Sequence, residues 1–211
     1  MHDSLILKEI EESSQLAKAY ILFESLYNKD KDTGEHSLNV AFMQKIFLQE
    51  YYEADDGYVE TGFICGLLHD IGKLRIPDAI LKSCSSLTKS ERELITKHSL
   101  YSSNILKRMR FSGEIINAAV YHHERWDGSG YPYALRKNEI PFLARVLGII
   151  DSFCALTEDR TYREKLSTEE AIQILKNERY LYDEKILNLF FMNIDVIINS
   201  LNHTSKYPFI T

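Results

Sequence analysis

The sequence predicts an all-α fold, and three observations carry this prediction. Apolar residues near the N-terminus recur mainly at helical spacing, from Leu16 through Ala19 to Phe23. Residues 88–91 and 167–170 match the capping box, in which two side chains satisfy free backbone groups at the start of a helix. No stretch alternates apolar and polar residues convincingly enough to indicate a strand.

We expect the first helix to be amphipathic and to end near Asn28, followed by a turn at residues 29–34. A second helix then carries His36, and a third runs from about Val59 into His69. The N-terminal helix is expected to serve packing or dimerisation, because amphipathic helices mostly bury one face. A role as the end of a signalling helix is the weaker alternative.

The second half of the chain is also expected to be helical, with one interruption. Residues 114–122 and 141–156 have helical patterns, and the two capping boxes predict two further helix starts. Residues 124–138 contain two glycines and a proline, which favours a loop.

Length and composition fit a globular protein with one domain. The chain has 211 residues, and its net charge of −6 argues against DNA or RNA binding, which requires basic surface. The three cysteines form no CxxC motif, which disfavours a disulfide framework or a zinc ribbon and fits a reducing cytosol. No stretch reaches the roughly 18 apolar residues of a membrane span, and no export signal is visible, so we expect a cytoplasmic protein.

Histidine and aspartate residues form an ordered series that indicates a metal site. Imidazole and carboxylate are the ligand types that hold divalent iron, manganese, nickel or zinc. Five of the seven histidines belong to the series. Its members are His36, His69, Asp70, His98, His122, His123 and Asp151. A metal site of this composition suggests hydrolytic chemistry.

Three motifs, in this order, closely resemble the HD-GYP family of bacterial phosphodiesterases, which cleave cyclic di-GMP. They are HDIGK at residues 69–73, YHHERWDGSGYP at residues 121–132 and RVLGIIDSFCALTEDRTYR at residues 145–163. The resemblance implies the HD-domain helical bundle with an added hairpin or loop that carries the GYP triplet. The resemblance covers roughly residues 32–167. Together with the N-terminal helical pattern, it leads us to expect an N-terminal amphipathic helix (1–30), an HD-GYP catalytic domain (31–200) and a C-terminal tail (201–211).

The resemblance assigns the whole histidine–aspartate series as metal ligands and implies two divalent ions. Asp70 would bridge them, because a carboxylate offers two oxygens. For Asp151 the alternative is an ion pair with Arg145 or a capped backbone turn. Asp32 lies four residues before His36, where some family members place a glutamate that binds a third metal. Aspartate is shorter, and a helix-capping or solvated role is equally compatible with this position.

Three basic residues are implied to contact substrate phosphate. Lys73 ends the HDIGK motif, and Arg160 and Arg163 lie nine and twelve residues after Asp151. Arginine suits phosphate because its planar donors can bind two oxygens at once, and lysine supplies a compact charge. Asp70 and Lys73 are the implied catalytic residues. The alternative for each basic residue is exposure to solvent without a role.

Gly130, Tyr131 and Pro132 are compatible with a tight turn, since glycine is permissive and proline fixes its own φ. By resemblance, they belong to the rim of the active site and to a docking surface for GGDEF-domain proteins. Two departures from the family pattern affect local packing and the shape of the substrate loop. Ser102 stands where the family usually has glycine four residues after His98, and residues 82–84 read Lys-Ser-Cys in place of a Lys-Pro-Gly-like loop.

The function implied is a metal-dependent phosphodiesterase that converts cyclic di-GMP to linear pGpG, with GMP left open as a further product. Iron or manganese is favoured, and the choice between two and three ions stays open, as does homodimerisation. One alternative is a catalytically weak module that binds a cyclic dinucleotide and docks a partner. Another is an HD-domain phosphohydrolase that acts on a different nucleotide.

Overall fold

The computed structural model describes residues 14–52, 54–83, 86–159 and 164–203, and within these ranges it contains helices and no strand. The all-α prediction is confirmed. The helices are α1 (Gln15–Lys29), α2 (Lys31–Tyr51), α3 (Asp56–Leu68), α4 (Asp78–Leu81), α5 (Lys89–Thr96), α6 (His98–Arg108), α7 (Gly113–Tyr121), α8 (Phe142–Thr157), α9 (Thr168–Asn177) and α10 (Glu184–His203). Short 3-10 turns lie at Ile71–Arg75, Lys137–Glu139 and Arg179–Leu181. None of the described helices combines the length and apolar character that crossing a membrane would require.

Helix α2 lies at the centre of the bundle and contacts α1, α3, α8 and α10. Phe190 of α10 packs against Phe47 of α2 and Phe153 of α8, with ring centroids 6.4 and 5.4 Å apart. All three rings are buried. One apolar core therefore holds α2 and α8 in place, and these two helices carry His36 and Asp151.

Both predicted capping boxes are present. Thr88 and Glu91 exchange side-chain and backbone hydrogen bonds at the start of α5, and Ser167 and Glu170 do the same at the start of α9. The predicted loop at residues 124–138 is also confirmed, apart from the 3-10 turn that begins at Lys137. The sequence signals at helix starts were thus sufficient to place α5 and α9.

The predicted turn at residues 29–34 is wrong, because only Asp30 separates α1 from α2. Thr33 and Gly34 belong to the first turns of α2. A Cβ atom at Gly34 would lie 2.5 Å from Cδ2 and 2.9 Å from Cα of Tyr27. Glycine is therefore required here because two helices approach closely, and its presence does not indicate a turn.

Helix α1 packs into the common core through Ala19, Phe23 and Leu26, which are all buried. This is the packing role expected of an amphipathic helix. Residues 1–13 and 204–211 lie outside the described residues, so the division into 1–30, 31–200 and 201–211 stays an expectation.

Candidate metal centre

The seven residues of the histidine–aspartate series meet at one place in the bundle. They come from five elements: the interior of α2, the end of α3, the start of α6, the end of α7 and the middle of α8. His123 is partly exposed, and the other six are buried. The structure thus brings together His36, His69, Asp70, His98, His122, His123 and Asp151.

Asp70 lies between two groups of ligand atoms. Its Oδ2 is 3.3 Å from Nε2 of His69, and its Oδ1 is 3.2 Å from Nε2 of His98. Two triads, each with ligand atoms within 4.8 Å of one another, flank it: His36 with His69 and Asp151, and His98 with His122 and His123. A third triad, formed by His69, Asp70 and His122, joins the other two. Each oxygen of Asp70 therefore faces a different group.

Three of the histidines are oriented by backbone carbonyls. In His69, His98 and His122, Nδ1 is 2.7, 2.7 and 3.0 Å from the carbonyl oxygen of the residue three positions earlier. A carbonyl oxygen only accepts, so Nδ1 carries the hydrogen and Nε2 keeps its lone pair. Each of these rings presents Nε2 to the centre, as a metal-binding imidazole must.

The donors present fit divalent metal ions. Nε2 of His69 is buried and has no hydrogen-bond partner among the described residues. A buried imidazole nitrogen without a partner is costly, and coordination to a metal would satisfy it. Burial also lowers the pKa of His98, lowers that of His122 well below its usual range, and lowers that of His123 to about 3. At neutral pH these three rings are in the neutral form that binds metal.

The two aspartates are ionised despite their burial. Desolvation alone would raise the pKa of Asp70, but the ammonium group of Lys73 outweighs it and holds that pKa well below its usual range. Nζ of Lys73 is 2.5 Å from Oδ2 of Asp70. For Asp151, His36 overcomes the same desolvation and keeps the pKa low. Arg145 pairs with Asp183 at 2.6 Å, so the alternative ion pair between Arg145 and Asp151 does not form.

His36 differs from the other histidines because it lies between two carboxylates. Its Nε2 is 2.9 Å from Oδ1 of Asp151, and its Nδ1 is 2.7 Å from Oε2 of Glu158. Burial would lower the pKa of His36, but the two acids together raise it to about 9. Glu158 was not among the residues predicted from the sequence, because it lies beyond the predicted end of this helix at residue 156 and meets His36 only in the folded chain.

The GYP triplet lies in the loop of residues 124–138, which contains no strand, packs on the metal centre and is called the GYP hairpin below. The buried carboxylate of Glu124 accepts hydrogen bonds from the backbone amides of Tyr133 and Leu135, at 2.7 and 2.9 Å. Tyr131 places its ring against that of His123, with centroids 4.7 Å apart. A Cβ atom at Gly130 would lie 2.4 Å from the carbonyl oxygen of His123, so the hairpin packs directly on the backbone of the histidine pair. Glu124 was also missed from sequence, although it directly follows that pair.

Ser102, one of the two departures from the family pattern, is accommodated. Its hydroxyl donates to the carbonyl of His69 at 3.0 Å and accepts from the backbone amide of Gly72 at 2.9 Å. The serine therefore links α6 to the segment that carries Asp70. In the second departure, the segment at residues 82–84, Lys82 and Ser83 line a cavity beside the metal centre, and Cys84 lies outside the described residues.

A cavity of about 850 Å³ opens beside the metal centre. His36, Lys73 and Glu158 line it together with residues of α4 and α5. Its volume is in the range of small-molecule sites. Asp32 is an exposed residue of the first turn of α2 that lines the same cavity, and none of the metal-capable triads found among the described residues includes it. Arg160 and Arg163 lie outside the described residues.

Comparison with known proteins agrees with the motifs. The HD domain family matches residues 48–186. A cyclic di-GMP phosphodiesterase from Pseudomonas aeruginosa is 32% identical over 197 residues, which cover 92% of this chain and 47% of that protein. A 3'3'-cGAMP-specific phosphodiesterase from Vibrio cholerae is 40% identical over 116 residues, which cover 55% of this chain and 27% of that protein. The structure of an HDG"Y"P protein from Bdellovibrio bacteriovorus superposes with a TM-score of 0.62 at 19% identity, covering 79% of this chain and 51% of that one.

The chain belongs to the HD domain family. The match spans between 44% and 47% of the length of three cyclic di-GMP phosphodiesterases that the chain resembles, so it covers about half of these relatives. The matched HD domain begins after His36, so the family match does not reach this histidine, which the fold places in the centre.

Proposed function

We propose that the chain is the catalytic part of a metal-dependent phosphodiesterase that hydrolyses cyclic di-GMP to linear pGpG, with GMP as the product of any second cut. The observation that carries this proposal is the pair of triads joined through Asp70. Relatives named as cyclic di-GMP phosphodiesterases support the substrate.

Two divalent ions, with iron or manganese favoured, fit the donors. His36, His69 and Asp151 would hold one, His98, His122 and His123 the other, and Asp70 would contact both. Mixed imidazole and carboxylate ligands suit these metals. Bound ions would lower the pKa of a water molecule and stabilise charge on the phosphate. The five imidazoles are neutral ligands, and the two carboxylates offset only part of the charge of two divalent ions. The occupied centre would therefore carry a net positive charge, which favours an anionic substrate.

Lys73 holds Asp70 ionised and lines the cavity, so its ammonium group is within reach of a phosphate bound there. Arg160 and Arg163 follow α8 in the chain and are proposed, from sequence alone, as further phosphate ligands. Asp32 is proposed as the ligand of a third ion. Measuring the number of bound ions in Asp32→Ala tests this proposal. An unchanged metal content would show that Asp32 is a solvated residue and not a ligand.

The GYP hairpin is proposed as a docking surface for GGDEF-domain proteins. Tyr133, which directly follows the GYP triplet, is 60% exposed. Homodimerisation stays a separate prediction, to be tested by measuring the mass of the protein in solution.

The direct test is hydrolysis by protein purified without chelator and loaded with iron or manganese. We expect turnover of cyclic di-GMP with pGpG as the first product, and loss of both bound metal and turnover in Asp70→Asn. Metal-loaded protein that binds cyclic di-GMP without cleaving it would instead be a binding module.

A second candidate substrate is 3'3'-cGAMP, since one of the relatives specific for it is 40% identical over 116 residues. Comparing kcat/KM for cyclic di-GMP, 3'3'-cGAMP, cyclic di-AMP and linear nucleotides decides between them. A higher value for a nucleotide other than cyclic di-GMP would overturn the substrate assignment and leave the metal-dependent chemistry in place.

A further inference from the structure

His36 cannot be oriented in the way that the other Nε2-presenting histidines are. The carbonyls that hold His69, His98 and His122 all belong to the last four residues of a helix, where carbonyls have no partner within the helix. His36 is the sixth residue of α2, well inside a helix of 21 residues. The carbonyls that precede it are engaged in the helical hydrogen-bond pattern, so its Nδ1 needs an acceptor from elsewhere.

Glu158 supplies that acceptor. Its Oε2 is 2.7 Å from Nδ1 of His36, and its Oε1 accepts from Nδ2 of Asn39 at 2.7 Å. His36 and Asn39 are three residues apart and lie on one face of α2. The carboxylate is therefore held by two side chains of the same helix.

The position of Glu158 also ties it to Asp151. Asp151 lies in α8, and Glu158 directly follows the last residue of that helix. Seven residues are about two helical turns, so both carboxylates lie on the same side of α8. They contact opposite nitrogens of the His36 ring. This leaves one ring orientation that satisfies both nitrogens.

We propose that Glu158, held by Asn39, is the positioning residue for His36: it keeps the hydrogen on Nδ1 and points Nε2 towards the metal centre. This inference rests on the metal-dependent function proposed above. Carboxylates that bind the outer nitrogen of a metal-binding histidine typically contribute about 10- to 100-fold to metal affinity. Glu158 would play the part that backbone carbonyls play for the other three histidines.

The test measures the affinity of metal-free protein for Mn²⁺ and Zn²⁺, by competition with a chromophoric chelator. We expect Glu158→Ala to bind about 10- to 100-fold more weakly, with an unchanged number of ions at saturation. Glu158→Gln should lose less, because its amide oxygen still accepts from Nδ1. Asn39→Leu should fall between wild type and Glu158→Ala, because Glu158 remains but is no longer held.

Asp159→Asn is the matched control. Asp159 is the next residue, lines the same cavity and pairs with Lys165 at 3.3 Å. It carries the same charge as Glu158, so its substitution removes one negative charge and leaves the bond to His36 intact. We expect an affinity close to that of wild type.

Three outcomes would overturn the proposal: unchanged affinity in Glu158→Ala with a native circular dichroism spectrum, an equal loss in Asp159→Asn, or the loss of one bound ion, which would make Glu158 a ligand. Failure of the proposed function is distinguishable, because a protein that binds metal without hydrolysing any nucleotide still reports the affinity difference.

Discussion

Single side chains at the metal centre owe their direction to the acceptor behind them. In His69, His98 and His122 a free carbonyl at the end of a helix holds Nδ1, whereas in His36, which lies inside a helix, a carboxylate does so. Lys73 likewise owes its place to Asp70, which it contacts three residues away in the chain. These contacts separate residues that would hold metal from residues that would act on substrate.

Lys73→Met should separate the two roles. We expect an unchanged number of bound ions, because Lys73 is not a ligand, and a fall in kcat/KM for cyclic di-GMP of about 10- to 100-fold from the lost charged contact to phosphate. Metal analysis and steady-state kinetics measure the two effects. Lys89→Met, at the exposed start of α5, is the control and should leave both unchanged. Wild-type kinetics in Lys73→Met would show that this ammonium has no part in substrate binding.

At the scale of elements, the GYP hairpin depends on one buried carboxylate. Glu124→Ala would leave the backbone amides of Tyr133 and Leu135 without their acceptor. We expect a loss of about 1–3 kcal/mol in the free energy of unfolding, with faster hydrogen exchange at these two amides. Asp127→Ala, which removes only the exposed hydrogen bonds from Ser129 in the same hairpin, should cost less, at most about 1 kcal/mol. Equal losses in the two variants would contradict a special role for Glu124.

The close approach of α1 and α2 gives a second prediction at this scale. Gly34→Ala would place a methyl group against the side chain and backbone of Tyr27, and we expect it to cost about 1–3 kcal/mol in chemical denaturation. Gly113→Ala is the matched control, because a Cβ atom there would have no atom within 4 Å. Gly113 is the first residue of α7, where alanine is a better helix former than glycine. The control should therefore be neutral or slightly stabilising.

At the scale of the whole molecule, one core and one metal centre join the same helices. Phe190→Ala would open a cavity between α2 and α8, and we expect it to cost about 3–5 kcal/mol and to weaken metal binding as well. Met192→Ala, on the same helix but 81% exposed, should cost under about 0.5 kcal/mol. Urea denaturation with chelator present, followed by metal titration, measures both effects. Unaltered metal affinity in Phe190→Ala would show that the centre does not depend on this packing.

Metal should stabilise the whole fold, since its ligands come from five elements. At a free metal concentration of about 100 times the dissociation constant, we expect a gain of about 2.7 kcal/mol in the free energy of unfolding. Chelation should reverse it. A melting temperature that does not respond to metal would mean that the ions do not bind the native centre.

Some parts of the fold and of the metal centre could be predicted from the sequence alone, and others could not. Capping boxes and the histidine–aspartate series were visible because they are local patterns or motifs with fixed order. Gly34 was misread as a turn residue, because its role depends on Tyr27 from another helix. Glu158, Asn39 and Glu124 were missed for the same reason: each acts through a contact that only the folded chain creates.

The hairpin connects the molecular surface to the metal centre over two residues. Tyr133 is exposed, whereas Tyr131 lies against the His123 ring. If a molecule bound Tyr133 and stabilised one position of the hairpin, it would also stabilise one position of His123, because Tyr131 of the hairpin packs against the His123 ring. Thermodynamic linkage then requires reciprocity: the factor by which such a molecule changed metal affinity would equal the factor by which metal changed the affinity for that molecule. The affinity of the exposed hairpin for such a molecule would thus depend on whether metal is bound at the buried centre.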